Sequence, residues 1–152
     1  MPAPGIGQPD FGPTILQFNI KNVTIQEPGL PPAAIVRVST SFTIATDIEI
    51  LGFLNVFLAG GVLEIAHHIE EVQTGNRQTI GLTTVTVPPP TPLFSSINFS
   101  KVSGPFPGGT LVIPPTFASG TYRVLTHVHH TDPLLAPVVA AFHDGLIIMV
   151  TP

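Results

Sequence analysis

Apolar and polar residues alternate along most of this chain with a period of two, the spacing that sends neighbouring side chains to opposite faces of a strand. In 14–27, Leu16, Phe18 and Ile20 hold one register, and Val23 and Ile25 hold the next. A slip of one residue exchanges the buried and exposed faces, so the pattern predicts a β-bulge near Asn22. Residues 34–50 read as one long strand. Val36, Val38, Phe42, Ile44, Ile48 and Ile50 lie on one face, and Arg37, Ser39, Ser41, Thr43, Asp47 and Glu49 on the other. The nearly all-apolar run 53–59 reads as a further strand.

Residues 62–73 fit two periods. Leu58, Val62, Ile65, Ile69 and Val72 follow helical spacing, whereas Leu63, Ile65, His67 and Ile69 alternate as a strand. The turn signal Thr74-Gly-Asn-Arg77 leads into a Thr/Val-rich run at 78–87. A hairpin accounts for both halves, which favours the strand. After the prolines of 88–92, the segments 93–102, 110–113, 122–130 and 146–150 bring the set to eight or nine short strands. No helix is called for. Frequent Pro and Gly punctuation between short strands predicts a β-sandwich or barrel with Greek-key connections. Residues 1–13, rich in Pro and Gly without periodicity, read as an extended or disordered arm, and 14–152 as a single domain.

Ser119-Gly-Thr-Tyr122-Arg-Val-Leu125 resembles the small-Gly-x-Tyr-x-Val opening of the penultimate strand in immunoglobulin-like sandwiches. In that family the Tyr hydroxyl bonds back to nearby backbone as a tyrosine corner. The resemblance implies an all-β, immunoglobulin-like, Greek-key antiparallel sandwich of about eight strands, with Tyr122 as the corner. It implies no activity, because function resides in sites and not in folds.

Composition narrows the classes of function. Of 152 residues, 43% are hydrophobic and only 9% charged, against a usual ~25% charged. The five cations Lys21, Arg37, Arg77, Lys101 and Arg123 are scattered, and with one Tyr and no Trp they offer neither a phosphate groove nor a stacking platform. Nucleic acid is excluded as a partner on that ground. The longest strongly apolar uncharged run, 50–63, falls short of the about 20 residues a bilayer-spanning helix needs. No membrane span is expected. The absence of Cys removes thiolate metal sites and a Cys nucleophile. The first residues lack the pattern of an export signal, so the expected compartment is cytoplasmic with Met1 native, or the exterior once a signal has been removed.

Histidine is the unusual polar feature. His67-His68, His127-Val-His129-His130 and His143-Asp144 place six in a chain with fourteen formally charged side chains. Residues two apart on a strand share a face, so His127 and His129 project together, and imidazole pairs are ordinary ligands of zinc, copper or iron. His127, His129, His67 and His143 are the candidate metal ligands, with Glu64, Glu70 and Glu71 available to supply a carboxylate. The plainer reading puts His127 on a solvent face beside Arg123, and His67 in the core with both ring nitrogens satisfied. The cupin pattern is absent, since His67-His68-x-Glu70 lacks the spacer and residues 114–120 carry no His. Glu64-x-x-His67 has no four-helix bundle to sit in, and Ser41, Ser95 and Ser119 have no local support as nucleophiles. No cofactor follows from the sequence unless the histidines converge, and catalysis is not the favoured reading.

Fourteen charged side chains are few to cover the surface of such a domain. The remainder must be uncharged polar and exposed apolar residues, and apolar patches usually mark interfaces. The candidates are residues 51–62 and the stretch holding Leu134, Leu135, Val138, Val139 and Phe142. The expectation is a non-enzymatic structural or interaction module that self-associates, with a histidine-liganded metal protein and a binder of small apolar ligands as its rivals.

Overall fold

The computed structural model describes residues 15–37, 40–93, 95–107, 120–137 and 139–151. The predicted arm at 1–13, the predicted strand at 110–113, and Val38, Ser119 and Val138 lie outside the described residues. Those residues form eight strands, β1 (Gln17–Gln26), β2 (Ile35–Arg37), β3 (Phe42–Leu51), β4 (Val62–Glu71), β5 (Arg77–Thr86), β6 (Ile97–Phe106), β7 (Gly120–His130) and β8 (Ala140–Thr151), and a short 3-10 helix, Phe53–Leu58. They build two sheets, one ordered β1-β3-β6 and the other β2-β8-β7-β4-β5. The architecture is that of a β-sandwich. Every pairing is antiparallel except that of β2 with β8, which is parallel.

The predicted bulge is present: the register of β1 on β3 shifts between Ile20 and Asn22. Residues 62–71 are a strand, and β4 and β5 form the expected hairpin. Two expectations need correction. Residues 34–50 are not one strand, because the chain leaves β2 in the five-stranded sheet and enters β3 in the other. The even-numbered residues keep pointing inward across that transfer, since Val36, Phe42, Ile44, Ile48 and Ile50 are all buried between the sheets. Residues 53–58 form a 3-10 helix and not a strand. Gly52 turns the chain with φ 101° where a Cβ would run into the backbone of Ile15. The helix then buries Asn55, whose amide donates to the Ser95 carbonyl at 2.7 Å, and leaves Phe53 and Phe57 exposed.

The interior divides into two apolar halves. One gathers Val23, Ile25, Phe42, Ile44, Ile69, Tyr122, Val124 and Ile148, and the other Ile48, Ile50, Leu63, Ile65, Ile97, Val128 and Val139. Between them each of four strands contributes one polar residue: Thr46 on β3, Ser103 on β6, His67 on β4 and Thr126 on β7, all buried. Tyr122 is fully buried at the start of β7.

Candidate functional site

Five of the six histidines lie on the central strands β4 and β7, and strand alternation sorts them between two faces. On β4 the inward positions are Leu63, Ile65, His67, Ile69 and Glu71, so His68 points outward with Glu64 and Glu70. On β7 the inward positions run from Tyr122 to His130, so Arg123, Leu125, His127 and His129 point outward. His143 is in register with inward-facing Thr126, and its Nδ1 is buried without a hydrogen-bond partner. The four predicted ligands therefore do not come together. His127 and His129 share the outer face, while His67 sits in the core. Among the described residues no three His, Cys, Asp or Glu side chains are close enough to hold a metal ion.

His67 occupies a site closed to solvent. Its Nδ1 lies 2.9 Å from Thr126 Oγ1 and its Nε2 lies 3.2 Å from Ser103 Oγ on the opposite sheet. The Phe106 ring stands edge-on to it, with centroids 6.3 Å apart. Phe106 comes this close because β5 has Gly81 at the facing position, where a Cβ would meet that ring. Burial, with a smaller push from the charge of His68, lowers the pKa of His67 to about 4. The Ser103–His67 contact has the shape of a nucleophile–base pair, yet both residues are buried. The second ring nitrogen meets a threonine hydroxyl where a carboxylate would be needed to orient a catalytic base. The arrangement suits a satisfied core histidine.

The outer face of the five-stranded sheet is a grid that follows from the strand registers. One row reads Thr84, Glu64, His129, Ala140, and the next reads Leu82, Ala66, His127, Phe142. Then come Thr79, His68 and Leu125, and after them Arg77, Glu70, Arg123, Ile147. The His127 and His129 rings lie 5.1 Å apart, centroid to centroid. His129 Nε2 reaches Glu64 Oε1 at 3.2 Å, and its Nδ1 reaches the His130 carbonyl at 2.9 Å. Both ring nitrogens of His129 are thus engaged by oxygen atoms of the protein itself. His68 Nδ1 meets Thr79 Oγ1 at 2.9 Å, and Arg77 Nη2 donates to Glu70 at 2.8 Å. Burial lowers the pKa of His127, His129 adding to the effect and Glu64 opposing it. Burial also lowers that of His68, with Arg77 and His127 next in order.

The apolar members of this sheet's outer face are Ile35, Leu82, Phe142, Ile147 and Met149, between 44% and 64% exposed. The outer face of the other sheet is polar, with Asn19, Lys21, Thr24, Asp47, Glu49, Asn98 and Ser100. Its one strongly exposed large apolar side chain among the described residues is Val102. Of the interface candidates, Leu134 and Phe142 are exposed, Leu135 packs against the core, and Val139 is fully buried within the single chain. Sequence reasoning missed Ile35, Leu82, Ile147 and Met149. Their apolar character was visible, but not that alternation in the two sheets would gather them on one outer surface.

A cavity of about 280 Å³ opens between the chain after β1 and the short β2, lined by Ile25, Leu30, Pro31, Ala33 and Ile35 around the Glu27–Arg37 pair. It lies just below the range of roughly 300–1,000 Å³ usual for ligand pockets. Glu27 accepts from the Arg37 backbone N–H at 2.6 Å and from its guanidinium at 2.7 Å, which lowers the carboxyl pKa.

No family model matches the chain, and no curated protein matches it. No helix among the described residues is long and apolar enough to cross a membrane.

Proposed function

We propose that this protein is a non-enzymatic, immunoglobulin-like structural module that self-associates through the outer face of its five-stranded sheet. The observation that carries the reading is the asymmetry between the two outer faces: five large apolar side chains stand exposed on one and a single one on the other. Strand order supports the finer fold reading. The run β5-β4-β7-β8 matches in sequence order the C′CFG sheet of variable-type immunoglobulin domains, and β1-β3-β6 matches A, B and E. The buried Tyr122 at the start of the penultimate strand fits the same plan.

A second copy of this chain is the occupant that the face fits. Four long strands at ~4.8 Å spacing and ~3.3 Å rise span roughly 600 Å² before side-chain relief and β2 are added, close to the ~800 Å² each partner contributes to a standard interface. The grid is also complementary to itself. A two-fold axis running along the strands between β4 and β7 reverses the order within each row. Glu70 then lies over Arg123 of the second copy, Glu64 over His129, and Leu82 over Phe142. Each contact occurs twice, as an isologous interface requires.

Light scattering on the eluting full-length protein near neutral pH tests the reading. The expected result is a mass that is a multiple of 16.0 kDa. It falls to one chain in the F142D/M149D double variant and is unchanged in V102D on the opposite sheet. A monomeric parent protein at micromolar concentration, or equal effects from the two sheets, would overturn it.

A further inference from the structure

The charged and titratable groups of the five-stranded sheet's outer face suit it to respond to acid. This inference rests on the self-association proposed above and concerns the regulation of that same surface. His68 on β4 and His127 on β7 occupy the two central strands, which a contact between two copies buries most deeply. Around them stand Glu64 and Glu70 on β4, Arg77 on β5, and Arg123 and His129 on β7, while Asp144 is exposed at the irregularity of β8 opposite Leu125. The two outward carboxylates of β4 are already engaged, Glu64 by His129 and Glu70 by Arg77. Glu64 still favours the charged form of His127, but less than burial and His129 disfavour it, and among the described residues no carboxylate offsets the lowering at His68. The ring that stands beside His127 is that of another histidine, His129.

We propose that the assembly comes apart on mild acidification, as His68 and His127 of both copies take up protons inside the contact. Imidazole is the side chain whose ordinary titration falls in that range. Desolvated imidazolium rings would face Ala66 and Leu125 of a second copy directly, with the exposed Asp144 a strand further to the side, whereas in separated chains water solvates them. The low pKa of both rings in the single chain, caused first by burial and then by cationic neighbours, indicates that closer burial disfavours their charged form further. Linkage fixes the sign: the dissociated chains bind more protons, so lowering the pH favours dissociation.

Sedimentation velocity of the full chain from about pH 7.5 to about pH 5.5, at constant ionic strength, is the test, with far-ultraviolet circular dichroism recorded on the same samples. The apparent dissociation constant should rise by at least about tenfold across that interval, since each excluded proton contributes up to tenfold per pH unit. The dichroism should not change, and the H68Q/H127Q variant should stay assembled throughout. An assembly equally tight at both ends of the range, with the fold intact, overturns the acid response and leaves self-association standing. A monomer at every pH overturns both. A pH dependence that survives in the double variant belongs to other groups and overturns the assignment to these two histidines.

Discussion

His67 on β4 and Ser103 on β6 meet across the interior of the sandwich, Nε2 to Oγ at 3.2 Å, and so join the two sheets by a side-chain hydrogen bond. The contact lies within a polar layer that separates two apolar halves, and it replaces what would otherwise be continuous hydrocarbon packing. One slip of register in either sheet would carry Ser103 or Thr126 away from the ring and leave buried polar groups unpaired, a cost of about 1–3 kcal/mol for each. The layer thereby favours a single alignment of one sheet on the other.

The pKa of His67 lies near 4 in the folded protein, below its ordinary 6.5. The unfolded chain therefore binds the proton more readily. Stability is complete above about pH 6.5 and declines as the pH falls toward 4, where the loss levels off. The full effect is about 3 kcal/mol. Urea unfolding monitored by dichroism at about pH 7.5 and about pH 4.5 should show the decline in the parent protein. H67L should be less stable at the higher pH, because two hydroxyls lose their partner, and its midpoint should change less between the two. Equal pH dependence in parent and variant would show that His67 is not the titrating group.

Gly52 and Gly60 both have positive φ, 101° and 81°, but only Gly52 sits against other backbone. G60A should cost about 1 kcal/mol, the strain of a left-handed alanine. G52A should cost clearly more, about 3 kcal/mol or above, because the chain near Ile15 must move as well. Thermal melts of the two variants check the order, and equal melting temperatures would contradict it.

Glu27 binds the backbone N–H of Arg37 as well as its side chain, and so covers a donor on the short edge strand β2. Its lowered carboxyl pKa means that this contribution is present above the ordinary carboxylate range and is lost as the pH drops through the folded value. E27Q should lower the unfolding midpoint at neutral pH and lose part of its acid dependence. R37A should act in the same direction and more weakly, since the backbone donor survives. Midpoints unchanged in both variants would remove the pair from the account of stability.

Metal content gives a further check. Untagged protein purified without chelator should carry well under one equivalent of zinc, copper or iron, and added zinc should leave the melting temperature unchanged. Stoichiometric metal lost in H127Q/H129Q would contradict the arrangement of His129 described above.

Much of the fold was legible in the sequence because alternation reports burial directly. Val23 and Ile25 against Phe18 and Ile20 revealed the bulge, and the turn at 74–77 revealed the β4–β5 hairpin. Alternation does not say which sheet a strand joins. Val36 and Phe42 follow the same parity although they belong to different sheets, because both sheets point inward to one core. The run at 53–58 misled for a related reason: its burial is decided by Asn55 and Leu58, three residues apart, at the period of a 3-10 turn. For the histidines, sequence spacing paired His127 with His129 correctly. The alternation of His67 with Leu63, Ile65 and Ile69 already allowed a core position, but spacing alone did not decide between that and a ligand beside His127, since the choice depends on which side of β4 meets the core.

The parallel pairing of β2 with β8 joins Ile35 to Met149, positions more than a hundred residues apart. A ribosome adding roughly 5–20 residues per second would take on the order of ten seconds to supply the second partner after the first. Until then Val36 has no neighbour on β8, and the inward side of β3 has only part of its opposing layer. The nascent chain thus spends that interval with apolar strands uncovered, and the edge of the larger sheet is among the last parts of the molecule to close.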